Sequence, residues 1–183
     1  MSDAWVCPEC GIDYGTLHPP FAINTIKSFP RRYTEALAPV GDEDHEAVIR
    51  TRPAPEVWSA IEYAAHIADS RPLFAGRGDL RCNHDDPDIP FWDPDDRASA
   101  EKYNEQGKSD VLQRITSGCA DLVAKAEKVD GNGWKRTATF PWGERDLLTM
   151  LQNGVHDRVH PRVDSDKVRK PVRGVEPAHN RRQ

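Results

Sequence analysis

The chain has 183 residues, a net charge of −5 and a pI near 5.8, with 37% hydrophobic and 30% charged residues. That length supports one well-cored domain and not two, and the low apolar share leaves part of the chain for loop or tail. No face gathers Lys and Arg between aromatics, no apolar run nears the ~20 residues that span a bilayer, and Met1 to Trp5 carries no basic or apolar leader; nucleic acid and membrane are therefore excluded as general partners, and a cytoplasmic location is expected.

In chain order, residues 1–19 form a segment of their own containing Cys7-Pro8-Glu9-Cys10-Gly11. The spacing is that of half a zinc knuckle, with Gly11 permitting the tight turn that aims two thiolates at one ion. The other half expected for it is Cys82 and His84, so that Cys7, Cys10, Cys82 and His84 would make a structural Cys3His zinc site. A reversible dithiol or a pair without metal is the competing reading of the same spacing.

Four segments then show helical periodicity. The first runs from about Phe21 to Leu37, with Ala22, Ile26, Phe29, Tyr33 and Leu37 on one side and Pro30 expected to kink or divide it. The second begins after Arg52-Pro53-Ala54-Pro55 and continues towards Phe74, with Trp58, Ile61, Ala65 and Ala68 as its apolar stripe. A long polar crossover from Gly76 to Asp96 follows, then a third helix from about Arg97 to Val129 carrying Val111, Leu112, Ile115, Cys119, Leu122 and Ala126. Cys119 reads as a core residue. The fourth helix opens near Gly143 and buries Leu147, Leu148, Leu151, Val155 and Val159. The expected architecture is all-α, a four-helix bundle over residues 20–165, followed by a basic tail at 166–183 that is expected to be mobile.

His156-Asp157-Arg158-Val159-His160 sets two imidazoles at i and i+4, roughly 6 Å apart along a helix axis and on one face, where a single ion can take both. His66, one position beyond the apolar stripe of the second helix, is the candidate third nitrogen; Glu62 and Asp69 lie within a turn of it and either could orient its ring. Asp157 and Asp69 are candidates for a supporting position beside the metal, and no general acid or base is assigned. The same segment fits the H-E-x-x-H pattern of zinc proteases except that Asp157 replaces the glutamate base, one methylene too short, which ranks a protease below the other readings.

Several of these stretches together resemble one family. Trp58-Ser59-Ala60-Ile61-Glu62-Tyr63-Ala64-Ala65-His66-Ile67-Ala68-Asp69, then Trp92-Asp93 and Tyr103-Asn104-Glu105-Gln106, then Trp134-Lys135-Arg136-Thr137 and finally His156-x3-His160 are similar, in the right order, to the DinB-like (DinB/YfiT) proteins. That family includes mycothiol- and bacillithiol-dependent enzymes and thiol-dependent isomerases, and DinB-like chains with an N-terminal Cys-Pro-Glu-Cys-Gly opening occur. The resemblance implies a divalent metal held by His66, His156 and His160, zinc first and nickel, iron or manganese after it, with positions left for a low-molecular-weight thiol or water. It implies an S-transferase, isomerase or hydrolase acting on a small electrophile; the alternative is a bundle that binds metal or a partner without chemistry. Any apolar helix face left over would pair two bundles into a homodimer.

Overall fold

The computed structural model describes residues 5–39, 44–69, 93–140, 143–157 and 159, with 138–140 as backbone only. The crossover containing Cys82 and His84, the residue His160 and the basic tail lie outside these. Helix α1 spans Pro19–Ala36, α2 His45–Arg50, α3 residues 60–69, α4 Pro94–Ala100, α5 Lys108–Ala126 and α6 residues 147–157. Single 3-10 turns occur at Tyr103–Glu105 and Gly133–Lys135. Among the described residues no helix is long and apolar enough to cross a membrane.

The long helices α1, α3, α5 and α6 meet in one core. Ala22, Ile26, Phe29, Tyr33 and Leu37 are all buried, opposite Val111, Ile115, Cys119, Leu122 and Ala126 of α5. Ile61, Ala65 and Ala68 of α3 and Leu151 and Val155 of α6 complete it, with Trp58, Leu112 and Val159 packed at its edge. The periodic stripes therefore face inward as their spacing requires. Pro30 lies within α1 without dividing it.

Element boundaries depart from the sequence reading in four places, each for a local reason. Helix α3 starts later than expected because Ser59 and Glu62 close a reciprocal cap: the Ser59 N–H donates to Glu62 Oε2 at 2.8 Å and the Glu62 N–H faces Ser59 Oγ at 3.4 Å. Before it, residues 54–57 form a tight turn with an Ala54–Val57 bridge. The third predicted helix is broken into α4, a 3-10 turn and α5. Asp93 caps α4 by accepting from the Asp95 and Asp96 N–H groups at 2.9 and 3.0 Å, and Lys102 then takes a left-handed conformation, φ 50°, that ends the helix.

The short α2, absent from the sequence reading, is capped by Asp44, which accepts from the Ala47 N–H at 3.2 Å. Finally, the start assigned to the fourth helix is an antiparallel hairpin, β1 Thr137–Phe140 and β2 Gly143–Asp146, paired from Thr137 with Asp146 to Phe140 with Gly143. Gly143 has φ 106°, which a side chain at Cβ would resist. Asp146 then accepts from the Thr149 N–H at 2.7 Å and opens α6.

The stretch Tyr103-Asn104-Glu105-Gln106 serves as a latch. Asn104 Nδ2 donates to Arg50 O at 3.1 Å, Ser59 Oγ donates to Asn104 Oδ1 at 3.1 Å, and Arg50 donates to the Asn104 and Gln106 carbonyls. Tyr103, fully buried, donates its hydroxyl to Asp69 Oδ2 at 2.7 Å, and Arg97 Nε reaches the same oxygen at 2.7 Å. Both ends of α3 are thus tied to the α4–α5 connection.

Burial alone would raise the Asp69 carboxyl, but Arg97 and Tyr103 more than offset it, and its pKa lies below the ordinary 3.8. A carboxyl depressed on folding contributes stability that is full above its ordinary value and is lost as pH falls through the folded one. Wild-type urea midpoints should therefore drop in acid below about pH 4, and those of Asp69→Asn should start lower and fall less steeply. Parallel curves for the two proteins would show that Asp69 is not the linked group.

Candidate metal centre

Residues 5–17 fold back on themselves and lie against α6. The Cys7 N–H donates to Ile12 O at 2.8 Å, the Gly11 N–H to Cys7 O at 2.9 Å and the Tyr14 N–H to Trp5 O at 3.0 Å, with a Val6–Asp13 bridge closing the turn. Gly11 sits at φ 73°, the left-handed conformation this turn demands. Three contacts hold the folded segment to the helix. Gln152 Nε2 donates to Tyr14 O at 2.9 Å and to Leu17 O at 3.2 Å, and Tyr14 Oη donates to Asn153 Oδ1 at 2.8 Å. Leu17 is buried in the core behind them.

Gln152 and Asn153 lie four and three residues before His156, so helical geometry puts His156 on the same docking face, one turn further along. The Trp5 ring stands edge-on to the imidazole, centroids 5.4 Å apart, and Tyr14 lies tilted at 6.1 Å. Cys7 Sγ, Cys10 Sγ and a ring nitrogen of His156 all fall within 4.8 Å of one another. Among the described residues this is the group of three sulfur, nitrogen or carboxylate donors close enough to share an ion. Cys7 is buried, Cys10 and His156 are partly so, and His156 Nε2 is shut away from solvent.

The electrostatics suit a cation. The Cys7 thiol is held down to about 6, first by the Cys10 backbone N–H directed at it and then by the His156 ring. Burial pushes the Cys10 thiol up, opposed by the Ile12 backbone N–H, so the two sulfurs ionise apart. The His156 imidazole is raised, first by Asp157 and then by Cys7, with burial acting against both. Asp157 Oδ1 lies 3.9 Å from His156 Nδ1, too far for a hydrogen bond and close enough to favour the charged ring. Two sulfurs and an imidazole are zinc-type donors, so the residues present fit a bound divalent metal.

The structure brings Cys7 and Cys10 to His156, a pairing the sequence reading did not include; Cys82, His84 and His160 lie outside the described residues. His66 stands partly buried on α3, tilted against Trp58 with centroids 5.3 Å apart, and is not in the group of three donors. Its two neighbouring carboxylates have other partners: Glu62 takes Arg52 and Ser59, and Asp69 takes Arg97 and Tyr103. The signal for the Cys7–His156 approach was faint but present, since Gln152, Asn153 and His156 form a polar strip that a docked segment would cover.

The fold can be compared with known proteins. YfiT from Bacillus subtilis, described as a probable metal-dependent hydrolase with an unusual four-helix bundle topology, superposes with a TM-score of 0.76 at 16% identity, covering 86% of this chain and 89% of that one. No curated protein sequence matches. The family model of the DinB superfamily matches residues 26–160, from the middle of α1 through α6 with both His66 and His156, and by that match the chain belongs to the DinB superfamily.

Proposed function

We propose that the chain is a metal-dependent DinB-like enzyme whose divalent ion, held by His66, His156 and His160, activates a low-molecular-weight thiol of the mycothiol kind, or water, against a small electrophile. The observation that carries the reading is the placement of His156, its Nε2 shut from solvent and its ring among donors of metal-binding type. Family membership and the description of YfiT as a probable metal-dependent hydrolase support it.

A dication there lowers the pKa of a thiol or water bound to it, making thiolate or hydroxide available at neutral pH. The chain's own residues do the rest. Trp58 packs on His66 and Trp5 and Tyr14 pack on His156, restricting both rings and excluding water from their faces. Asp157 favours positive charge at His156 and so biases which ring nitrogen carries a proton.

The test is elemental analysis of the purified chain together with turnover of a panel of alkyl and vinylogous electrophiles, with mycothiol and with water alone. About one zinc-type ion per chain is expected in the wild type. Turnover should vanish on chelation, return on adding zinc, and be absent in His66→Ala. Turnover that survives in chelated His66→Ala would overturn the reading.

A further inference from the structure

We propose that Cys7 and Cys10 join His156 on one zinc-type dication, so that the N-terminal segment supplies two thiolates to the metal centre. The proposal rests on the reading above in placing the ion on His156, and departs from it in the donors around that ion.

Three observations and one charge argument converge. The three donor atoms already lie within 4.8 Å of each other, whereas ligands of one tetrahedral zinc, at its usual bond lengths, sit about 3.5–3.8 Å apart. An inward shift of about 1 Å would close the site. The turn has the shape of a metal knuckle: Gly11 takes φ 73°, the Gly11 N–H donates to Cys7 O at 2.9 Å and the Cys7 N–H to Ile12 O at 2.8 Å, so both sulfurs stand on one tight loop.

The segment is also fixed where the site needs it, by Gln152 and Asn153 one turn before His156. Finally, two thiolates neutralise a dication, which suits a partly buried position. Thiolate with imidazole selects zinc over magnesium, calcium or manganese. With Cys7, Cys10 and His156 as the three protein ligands, in place of His66 and His160, a fourth position is left as in catalytic rather than structural zinc, where a substrate thiol or water would bind.

The test uses the full chain loaded with cobalt(II) in place of zinc. The expected spectrum has a thiolate-to-cobalt charge-transfer band in the near ultraviolet that is lost in Cys7→Ser and in Cys10→Ser and kept in His66→Ala. Alkylation of the wild type by iodoacetamide, mapped by peptide mass, needs no variant to fold. Zinc should protect Cys7 and Cys10 at least ~10-fold relative to chelated protein, and His156→Ala should abolish the protection. Bound cobalt without a charge-transfer band, or equal alkylation with and without zinc, would overturn the proposal. If metal content and turnover then still depended on His66, the three-imidazole reading would stand alone. If the charge-transfer band survived in His66→Ala with turnover unchanged, that reading would fail and the mixed site would stand.

Discussion

Replacing His156 with alanine is expected to strip the proposed ion from the chain and with it any chelator-sensitive turnover. Losing even an outer partner of a metal ligand costs about 10–100-fold in affinity, so loss of a ligand itself should exceed that. Among the described residues Cys7 and Cys10 from the N-terminal turn, the Asp157 carboxylate and the Trp5 and Tyr14 rings all lie around His156.

The fold should survive the change. His156 lies at the rim of the core, its side chain 19% exposed, beside Val155, which is buried and unaltered. Far-ultraviolet circular dichroism should therefore match the wild type while elemental analysis falls to background. Wild-type metal content in His156→Ala would remove the basis of both proposals above.

Glu62→Ala should be the most destabilising single change outside the apolar core, at about 3 kcal/mol. The Glu62 side chain is 5% exposed and faces the Arg52 guanidinium, which is 39% exposed, through Oε2 at 2.8 Å from Arg52 Nε and through further contacts to Oε1. The same carboxylate accepts the Ser59 N–H that begins α3. Its removal thus breaks a largely buried ion pair and uncaps the helix that carries His66. Arg52 can rehydrate through its exposed side, which keeps the loss at the low end for buried pairs.

In a domain of this size about 3 kcal/mol corresponds to roughly 6–12 °C in Tm. Glu62→Gln, which retains an acceptor for Ser59, should lose about half as much. Burial raises the Glu62 carboxyl but Arg52 and Ser59 outweigh it, so its pKa lies below the ordinary 4.5. The contribution is accordingly full above that value and fades as pH falls below it, and the gap between wild type and Glu62→Ala should narrow in acid. A calorimetric shift under 2 °C at neutral pH would mean that water, not Glu62, satisfies Arg52.

The apolar stripes were legible because burial on one helix face imposes a 3.6-residue period on the sequence itself, and Phe29, Tyr33, Ile61, Ile115 and Val155 all face the core. Boundaries were less so. The Ser59-x-x-Glu62 cap and the Asp44, Asp93 and Asp146 caps are written in the sequence, yet each signal spans three or four residues and competes with longer periodic runs. The break at Lys102 has no such signal: a left-handed lysine is imposed by the latch of Tyr103 and Asn104 onto Asp69, Arg50 and Ser59.

The candidate site divides in the same way. Local chain geometry determined that Cys7 and Cys10 share a turn and that His156 lies one turn beyond Asn153, because a knuckle and a helix each fix their neighbours within a few residues. That those two local units meet was decided by tertiary structure alone. The Tyr14–Asn153 and Tyr14–Gln152 hydrogen bonds join residues about 140 apart in the chain, and no periodicity or spacing encodes a contact whose free energy comes from packing one surface on another.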